Sequence, residues 1–515
     1  YFEYQIYSYN ETSPLNMSIN KKLDVAVIGA GFAGIGAGIK LKQEGIESFK
    51  IFERSNDVGG TWRDNNYPGC ACDIPSNLYS YSFEPNPEWS RAFSPHNEIH
   101  DYLKHCVSKY NITAYIQFST EIQKIFFDVP NGHWVITDTN EKIYLARTII
   151  SASGPLNQPL YPKIKGINSF KGESFHSLYW NHSYDLTGKK IAIIGTGASA
   201  IQFIPEVAKE AAKLTVFQRT AAWIEPKLDR ENSEQTKKRF RRFPSYQKFW
   251  RELIYWFLEH RGRAQYAPNK IRTKRKADAL KFIEESIPDL KLRKKLTPNY
   301  EIGCKRILLS SNYYPALNKK HVSLVTDAIS EVTKKGIIDN TGKLHEVDAI
   351  IYGTGFYTTT YKHLYEVKGI NSQSLFDKWN KEGGEAYYGM TVNGFPNFVL
   401  MVGPNTGLGH NSIVHMMESQ LNYIMSYLKY LNKNPNSYLN VKESIQKEFN
   451  KKIQEQLKTM IWSDGGCDSY YLKDSNGKNT SIWPGSTMSY RKQTKRINKT
   501  DYDIVSIETT KKEII

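Results

Sequence analysis

Two glycine-rich turns, each set between an apolar β-branched run and a helix-like stretch, constrain this chain more than any other feature. The first is DVAVIGAGFAGIGAGIKLKQEG from Asp24, in which Gly29, Gly31 and Gly34 form GxGxxG. Such a turn needs its first glycine for the bend, its second so that backbone can approach a pyrophosphate, and its third so that helix can pack on strand. The helix that follows points free N–H groups and a positive dipole end at the phosphates. The strand SFKIFER then places Glu53 22 residues beyond Gly31, where a carboxylate accepts from ribose hydroxyls. The competing reading, a purely structural glycine turn, leaves Glu53 unexplained.

The second copy, KKIAIIGTGASAIQFIPEVAKEAAKLTVFQRT, carries Gly195, Gly197 and Ala200 as GxGxxA. Its middle glycine lies 22 residues before Arg219, the same offset as in the first copy. An arginine fork at the position of the ribose-binding acid suits a 2′-phosphate and cannot accept from a free 2′-hydroxyl. Glu in the first unit and Arg in the second therefore point to FAD and NADPH on one chain. The fold class expected is α/β, with two Rossmann-like domains.

At 515 residues the chain has room for two or three cores. No apolar run approaches the roughly 18 residues of a spanning helix, and no charged n-region precedes an apolar h-region. The reading is a cytoplasmic protein without an integral membrane segment. Five cysteines without regular spacing are expected to be reduced thiols. Cys70 and Cys72 form CxC, not the CxxC that a thiol-disulfide reductase needs. Residues 1–16 lack an initiator Met and read as a tail before an ordered protein starting near Met17.

The net charge of +17 raises nucleic acid as a partner. Residues 231–300 hold 19 Lys or Arg against 8 Asp or Glu, so much of the excess belongs to one segment. Without a zinc finger, RRM signature or bZIP heptad there, a solvated helical face is the preferred reading and nucleic acid is not expected. Within the segment, FWRELIYWFLEH has apolar residues at 250, 253, 254, 257 and 258, a helical stripe. Packing against the core is the first expectation for it, then lining a substrate entrance, then lying on a membrane surface.

Five further stretches carry a resemblance: VGGTWRDNNYPGCACDIPSNLYSYSF, FKGESFHSLYWN, PNYEIGCKRILLSSNYYPAL, DAIIYGTGF and GPNTGLGHNSIVHMMESQ. Together they resemble the class B flavoprotein monooxygenases, most closely the type I Baeyer–Villiger monooxygenases, from about Asp24 to Tyr502. The family fingerprint FxGxxxHxxxW is met by Phe170, Gly172, His176 and Trp180, with Asn181 where the family has Pro or Asp. A second pattern is met by Gly59, Gly60, Trp62, Tyr67, Pro68, Gly69 and Asp73, and the ending WPGSTMSYRKQTKRINKTDY also looks like this family's.

The resemblance implies a reaction in which NADPH reduces FAD, O2 adds to the flavin, and a C4a-peroxyflavin anion attacks a ketone to give an ester or lactone. Such an anion needs a permanent cation beside it, which arginine supplies at any working pH. Arg306 is the candidate, held by Asp73, with the neighbouring Lys305 reaching the 2′-phosphate from the other side of the segment. The same resemblance places Thr61, Trp62, Tyr79, Asp73 and Ile122 at FAD, and Thr196, Ala198, Gln202, Thr220 and Arg306 at NADPH. His176 is either part of a coupling link between domains or a satisfied structural histidine; its spacing from Trp180 also fits one helical face. Near His410 to Ser412, a helix start would aim N–H groups at the flavin ring.

The implied organisation is an FAD domain in two segments, 17–157 and 358–515. An NADPH domain lies between them, also in two segments: 158–225, which includes the linker, and 303–357. A helical insert, 226–302, separates these two. An enzyme oxygenating nitrogen or sulfur is the rival reading, since it uses a protonated hydroperoxide and has no need of Arg306. Substrate and oligomeric state stay open.

Overall fold

The computed structural model describes residues 22–265, 269–358, 365–467 and 478–507. The expected tail over residues 1–16, with Met17, lies outside these.

The first βαβ unit forms as its pattern requires. Strand Leu23–Ile28 buries its last four side chains and pairs in parallel with both Phe49–Phe52 and Ile143–Ser151. Helix Phe32–Gln43 is buried nearly all round because it is covered on both sides, by the sheet and by the long helix Ile413–Asn432. A Cβ on Gly34 would sit 1.8 Å from the Gly29 carbonyl oxygen, so only glycine lets this helix start so close to its strand.

The strand path of this sheet runs Glu366–Lys368, Ile122–Asp128, His133–Asp138, Ile143–Ser151, Leu23–Ile28, Phe49–Phe52, Ile116–Gln117, with Phe398–Leu400 added beside Ile143–Ser151. Strands from beyond residue 358 thus complete a sheet begun before residue 60. An antiparallel ribbon, Ser437–Val441 with Tyr502–Ser506, closes the chain's end, and the Tyr502 hydroxyl is buried against Tyr423 and Thr391.

The second sheet is wholly parallel, ordered Val322–Val325, Lys213–Phe217, Lys190–Ile194, Ala349–Tyr352, Glu173–His176. Near-continuous burial of its three inner strands is what a sheet covered on both faces demands. Between its halves come the helices Glu234–Arg242, Pro244–Gly262, Lys270–Ser286 and Leu290–Leu296.

The helix Pro244–Gly262 corrects the sequence reading. Its buried side is polar: Gln247, Arg251 and Tyr255 face inward, while Leu253 and Phe257 of the apolar stripe are exposed. The reason lies in what it covers. Residues 77–86 are irregular, so their carbonyls have no sheet partner and need donors. Gln247 donates to Asn77 Oδ1 (2.9 Å) and to the Asn86 carbonyl (2.7 Å). Arg251 donates to the carbonyls of Asn77 (2.9 Å) and Leu78 (3.1 Å).

A second correction concerns the thiols. Cys304 and Cys467 form a disulfide with Cα atoms 6.2 Å apart, across 163 residues of sequence. No local spacing reveals a pair brought together by the fold. Cys70, Cys72 and Cys106 are free and buried.

Candidate functional site

The two glycine turns leave space where phosphates belong. Gly29 has φ +102°, and a Cβ there would meet the Ala152 carbonyl oxygen at 2.8 Å. Around Gly31, by contrast, an added Cβ would have only the Cα of Gly60 within reach, at 3.8 Å. The GGTW loop therefore lies over the turn, and Thr61 and Trp62 open the short helix Thr61–Asp64 behind it. Trp62 donates from Nε1 to the Tyr79 hydroxyl (3.2 Å), whose ring meets Phe32 edge-on. Ile122 is buried at the start of its strand.

Glu53 stands at the end of its strand as the offset requires. It accepts from the Ala30 N–H (2.8 Å), the Ser55 N–H (3.0 Å) and Arg63 (3.1 Å). Arg63 is a residue the sequence reading missed, although it follows GGTW directly. It neutralises a carboxylate only 4% exposed, which would otherwise be costly to bury.

In the second unit, Gly195 has φ +108°, and a Cβ on it would lie 2.3 Å from the Gly353 carbonyl oxygen. Around Gly197 nothing lies within 4 Å of an added Cβ. Thr196, Gly197 and Ala198 thus form an open turn before helix Ala200–Glu210. Arg219 is exposed and Thr220 half-buried just past the neighbouring strand Lys213–Phe217. Both turns fit a pyrophosphate: close backbone, no side chain, and a helix N-terminus beyond.

Gln202, on helix Ala200–Glu210, bonds across to the first module. Its Nε2 donates to the Ala71 carbonyl (2.9 Å), and its Oε1 accepts from the Tyr67 hydroxyl (3.0 Å). The side chain is thus committed to the turn that leads to Asp73, because that turn is irregular and its polar groups need partners. The same turn buries the CxC thiols. Burial pushes Cys70 up to about 12, and Cys72 up further, so neither is a thiolate at neutral pH.

From that turn, Asp73 meets Arg306 across 233 residues of sequence. Arg306 donates from Nε (3.0 Å) and Nη2 (2.6 Å) to the single oxygen Oδ2. Two charge-assisted bonds of this kind orient a guanidinium as well as pair it. Arg306 precedes the short strand Leu308–Leu309, which pairs in parallel with Ile224–Glu225. Beneath it, Glu225 is bound by Arg275 (2.8 and 3.0 Å) and by Arg261. These two arginines come from the helices Lys270–Ser286 and Pro244–Gly262, so the insert braces the strand that carries the site.

Lys305 and Arg306 line one cleft with Gly303, Gly409 and Trp462. Lys305 also lies 5.1 Å above the Tyr300 ring, and the Tyr300 hydroxyl donates to the Ala221 carbonyl (3.0 Å), two residues from Arg219. The fold therefore brings Lys305 to the same end of the second sheet as Arg219.

The fingerprint residues form a brace, not a helix face. Glu173–His176 is the edge strand beside Ala349–Tyr352, and a 3-10 turn, Ser177–Tyr179, separates His176 from Trp180. A Cβ on Gly172 would strike the Asp348 carbonyl oxygen (2.3 Å) and the Phe170 ring (2.6 Å). Trp180 packs on Phe175 and on Phe203 of the nucleotide helix, at 5.2 and 5.3 Å between centroids.

His176 is fully buried, accepts at Nδ1 from the Leu178 N–H (3.1 Å) and packs against Tyr161 and Phe356. Burial pushes its pKa down to about 4, offset in part by the Gly355 backbone; the ring is neutral. It lies under the crossing of the two connections between the sheets, where Leu160 N–H donates to the Gly355 carbonyl and Tyr357 N–H to the Gln158 carbonyl. Asn181 has its own structural reason. Its amide donates to Glu173 (2.9 Å), while its Oδ1 accepts from Ser183.

At the start of helix Ile413–Asn432 the side chains of His410 and Asn411 are taken up by Glu259 of the insert. Glu259 Oε1 contacts His410 Nε2 (3.2 Å) and accepts from Asn411 Nδ2 (2.7 Å) and Thr487 Oγ1 (2.6 Å). Burial opposes its ionisation, yet the bonds from His410, Thr487 and Asn411 hold its pKa at about 2. A buried carboxylate outcompetes solvent for these donors.

The flavin-binding monooxygenase-like family matches residues 21–268. Nearly the whole chain is similar to a protein from Pseudomonas aeruginosa named Baeyer-Villiger monooxygenase, 46% identical over 94% of this chain and 91% of that one. A protein of the same name from Streptomyces coelicolor is 43% identical over 95% and 93%. The crystal structure of OTEMO in complex with FAD and NADP superposes with a TM-score of 0.84 at 27% identity, covering 94% of this chain and 99% of that one. The closed structure of cyclohexanone monooxygenase, at 24% identity and a TM-score of 0.84, covers the same shares and shares the fold.

Proposed function

This chain belongs to the Baeyer–Villiger monooxygenases, FAD- and NADPH-dependent enzymes that oxygenate ketones, and we propose that it performs this reaction through Arg306 held by Asp73. The observation that carries the proposal is that ion pair, whose arginine lines one cleft with Lys305 and which joins the two nucleotide-binding modules.

The residues divide the work. FAD held at the first turn would supply the hydride acceptor for NADPH and the means of activating O2, the source of the inserted oxygen. Gly29, Gly31, Gly34 and Gly60 let backbone close on the FAD pyrophosphate, and Glu53, fixed by Arg63, receives the ribose. Gly195, Gly197 and Ala198 do the same for NADPH. Arg219 and Lys305 take the 2′-phosphate from two sides, where a fork and a point charge complement one another. Arg306 sets a permanent positive charge where negative charge builds during oxygen transfer, and preorganisation by Asp73 removes the cost of assembling it then.

The fingerprint brace supports coupling between modules. His176, neutral and buried, is assigned no proton transfer; it packs the crossing of the two connections between the modules. Asn181 does not favour heteroatom oxidation, since its partner Glu173 explains it structurally. We assign residues 17–157 and 358–515 to the FAD module, 158–225 and 303–357 to the NADPH module, and 226–302 to the insert. No helix among the described residues is long and apolar enough to cross a membrane. We assign the enzyme to the cytoplasm, on the ground of its dependence on NADPH.

Product analysis tests the reading. Purified yellow protein is given NADPH, O2 and cyclic, linear and aryl ketones beside a thioether. Esters or lactones are expected; oxidation confined to the thioether would overturn the ketone assignment.

A further inference from the structure

The helix Pro244–Gly262 is inverted relative to an ordinary surface helix. Its polar residues are spent inward on Asn77, Leu78, Asn86 and the Glu259 cluster. Its outward face carries Phe249, Leu253, Trp256 and Phe257, spaced for one side of a helix, and Phe243 stands at its start. These five side chains are each between 44% and 56% exposed. The inward bonds hold the helix in this rotation, so the stripe cannot turn into the core. Contiguous exposed aromatics on this scale mark an interaction surface.

The charges around the stripe say which. Lys238, Arg239 and Arg242 on the preceding helix and Lys248 on this one are exposed, and none of the four is in an ion pair among the described residues. Arg242 lies over the Phe243 ring, 5.4 Å from its centroid, whereas Arg261, over Phe257, is committed to Glu225. Glu252 is the one exposed acid on this helix. Aromatic side chains flanked by cations match a bilayer interface, where rings sit at headgroup depth and Lys and Arg meet anionic lipid. A second copy of the chain would bring the same cations face to face. A single-stranded nucleic acid needs a groove to follow, and this face is the convex side of a helix.

We propose that the stripe Phe243, Phe249, Leu253, Trp256 and Phe257, with its collar of Lys238, Arg239, Arg242 and Lys248, docks the enzyme on the surface of anionic lipid bilayers. The attachment is peripheral. Its dependence on charge also makes it reversible by salt.

Flotation of the FAD-loaded full-length protein with vesicles tests this, using phosphatidylcholine alone and phosphatidylcholine mixed with phosphatidylglycerol. Binding to the mixed vesicles, weakened by salt, is expected. The Phe249→Ser/Trp256→Ser variant should bind at least about tenfold more weakly, with flavin content and NADPH oxidation unchanged. Should that variant lose flavin, Arg242→Gln/Lys248→Gln alters only exposed cations and should weaken binding about fivefold per charge. Equal partition into both vesicle types, or full binding by both variants, would overturn the proposal. So would tighter binding to a single-stranded oligonucleotide, or dimerisation that the aromatic variant abolishes while vesicles are ignored.

Discussion

Replacing Glu259 with Gln should loosen the insert from the FAD module by an amount the structure sets. One carboxylate oxygen collects His410, Asn411 and Thr487, and the side chain is 9% exposed. Its pKa stands at about 2 against an ordinary 4.5. A gap of that size is worth about 3 kcal/mol at neutral pH, roughly a 150-fold change in an opening equilibrium. The sign follows from a depressed carboxylate. The stabilisation is complete above the ordinary pKa and is lost as pH falls through the folded one, shrinking to about 2 kcal/mol near pH 3.5.

Amide hydrogen exchange across residues 244–262 reads the opening directly. Temperature-driven flavin release reads its consequence. In Glu259→Gln the helix should exchange about 100-fold faster at neutral pH, and the difference from the parent should narrow as the medium is acidified. Equal exchange, or a difference that does not change with pH, would refute the argument.

Other consequences are more local. Asn181→Asp, which restores the family residue, should destabilise by about 1–2 kcal/mol, since it replaces a donor to Glu173 with a second carboxylate; thermal unfolding checks this, and Glu173→Gln should reverse it. Gly197→Ala should leave flavin content intact and weaken NADPH at least about tenfold, because the added methyl meets only the cofactor's space. Titration of flavin reduction against NADPH measures it. Arg219→Ala should raise the KM for NADPH about 10- to 100-fold relative to that for NADH, and steady-state kinetics with both cofactors would expose an equal effect.

The two nucleotide turns were legible because each combines a strand, a glycine spacing and a charged residue at one offset, and all three are local. Pairing Asp73 with Arg306 needed the family resemblance, since nothing within either motif points across 233 residues. Other features were illegible for physical reasons. Periodicity finds the two sides of the helix Pro244–Gly262 but cannot tell which is buried. The answer lay in carbonyls at residues 77–86 that needed Gln247 and Arg251. The bond from Gln202 to the Ala71 carbonyl spans 131 residues, beyond any local signal. Cys304 and Cys467 meet only through the fold. Glu259 lay hidden inside an apolar stripe.

The most direct test of the central claim separates flavin reduction from oxygen transfer in Arg306→Ala. Stopped-flow spectra would follow bleaching of the flavin by NADPH, and chromatography would follow ester formed from a ketone that the parent accepts. The account predicts that bleaching persists while ester falls at least about 100-fold, the size of effect seen when a preorganised charge at a reacting centre is removed. Ester formed at the parent's rate would contradict it.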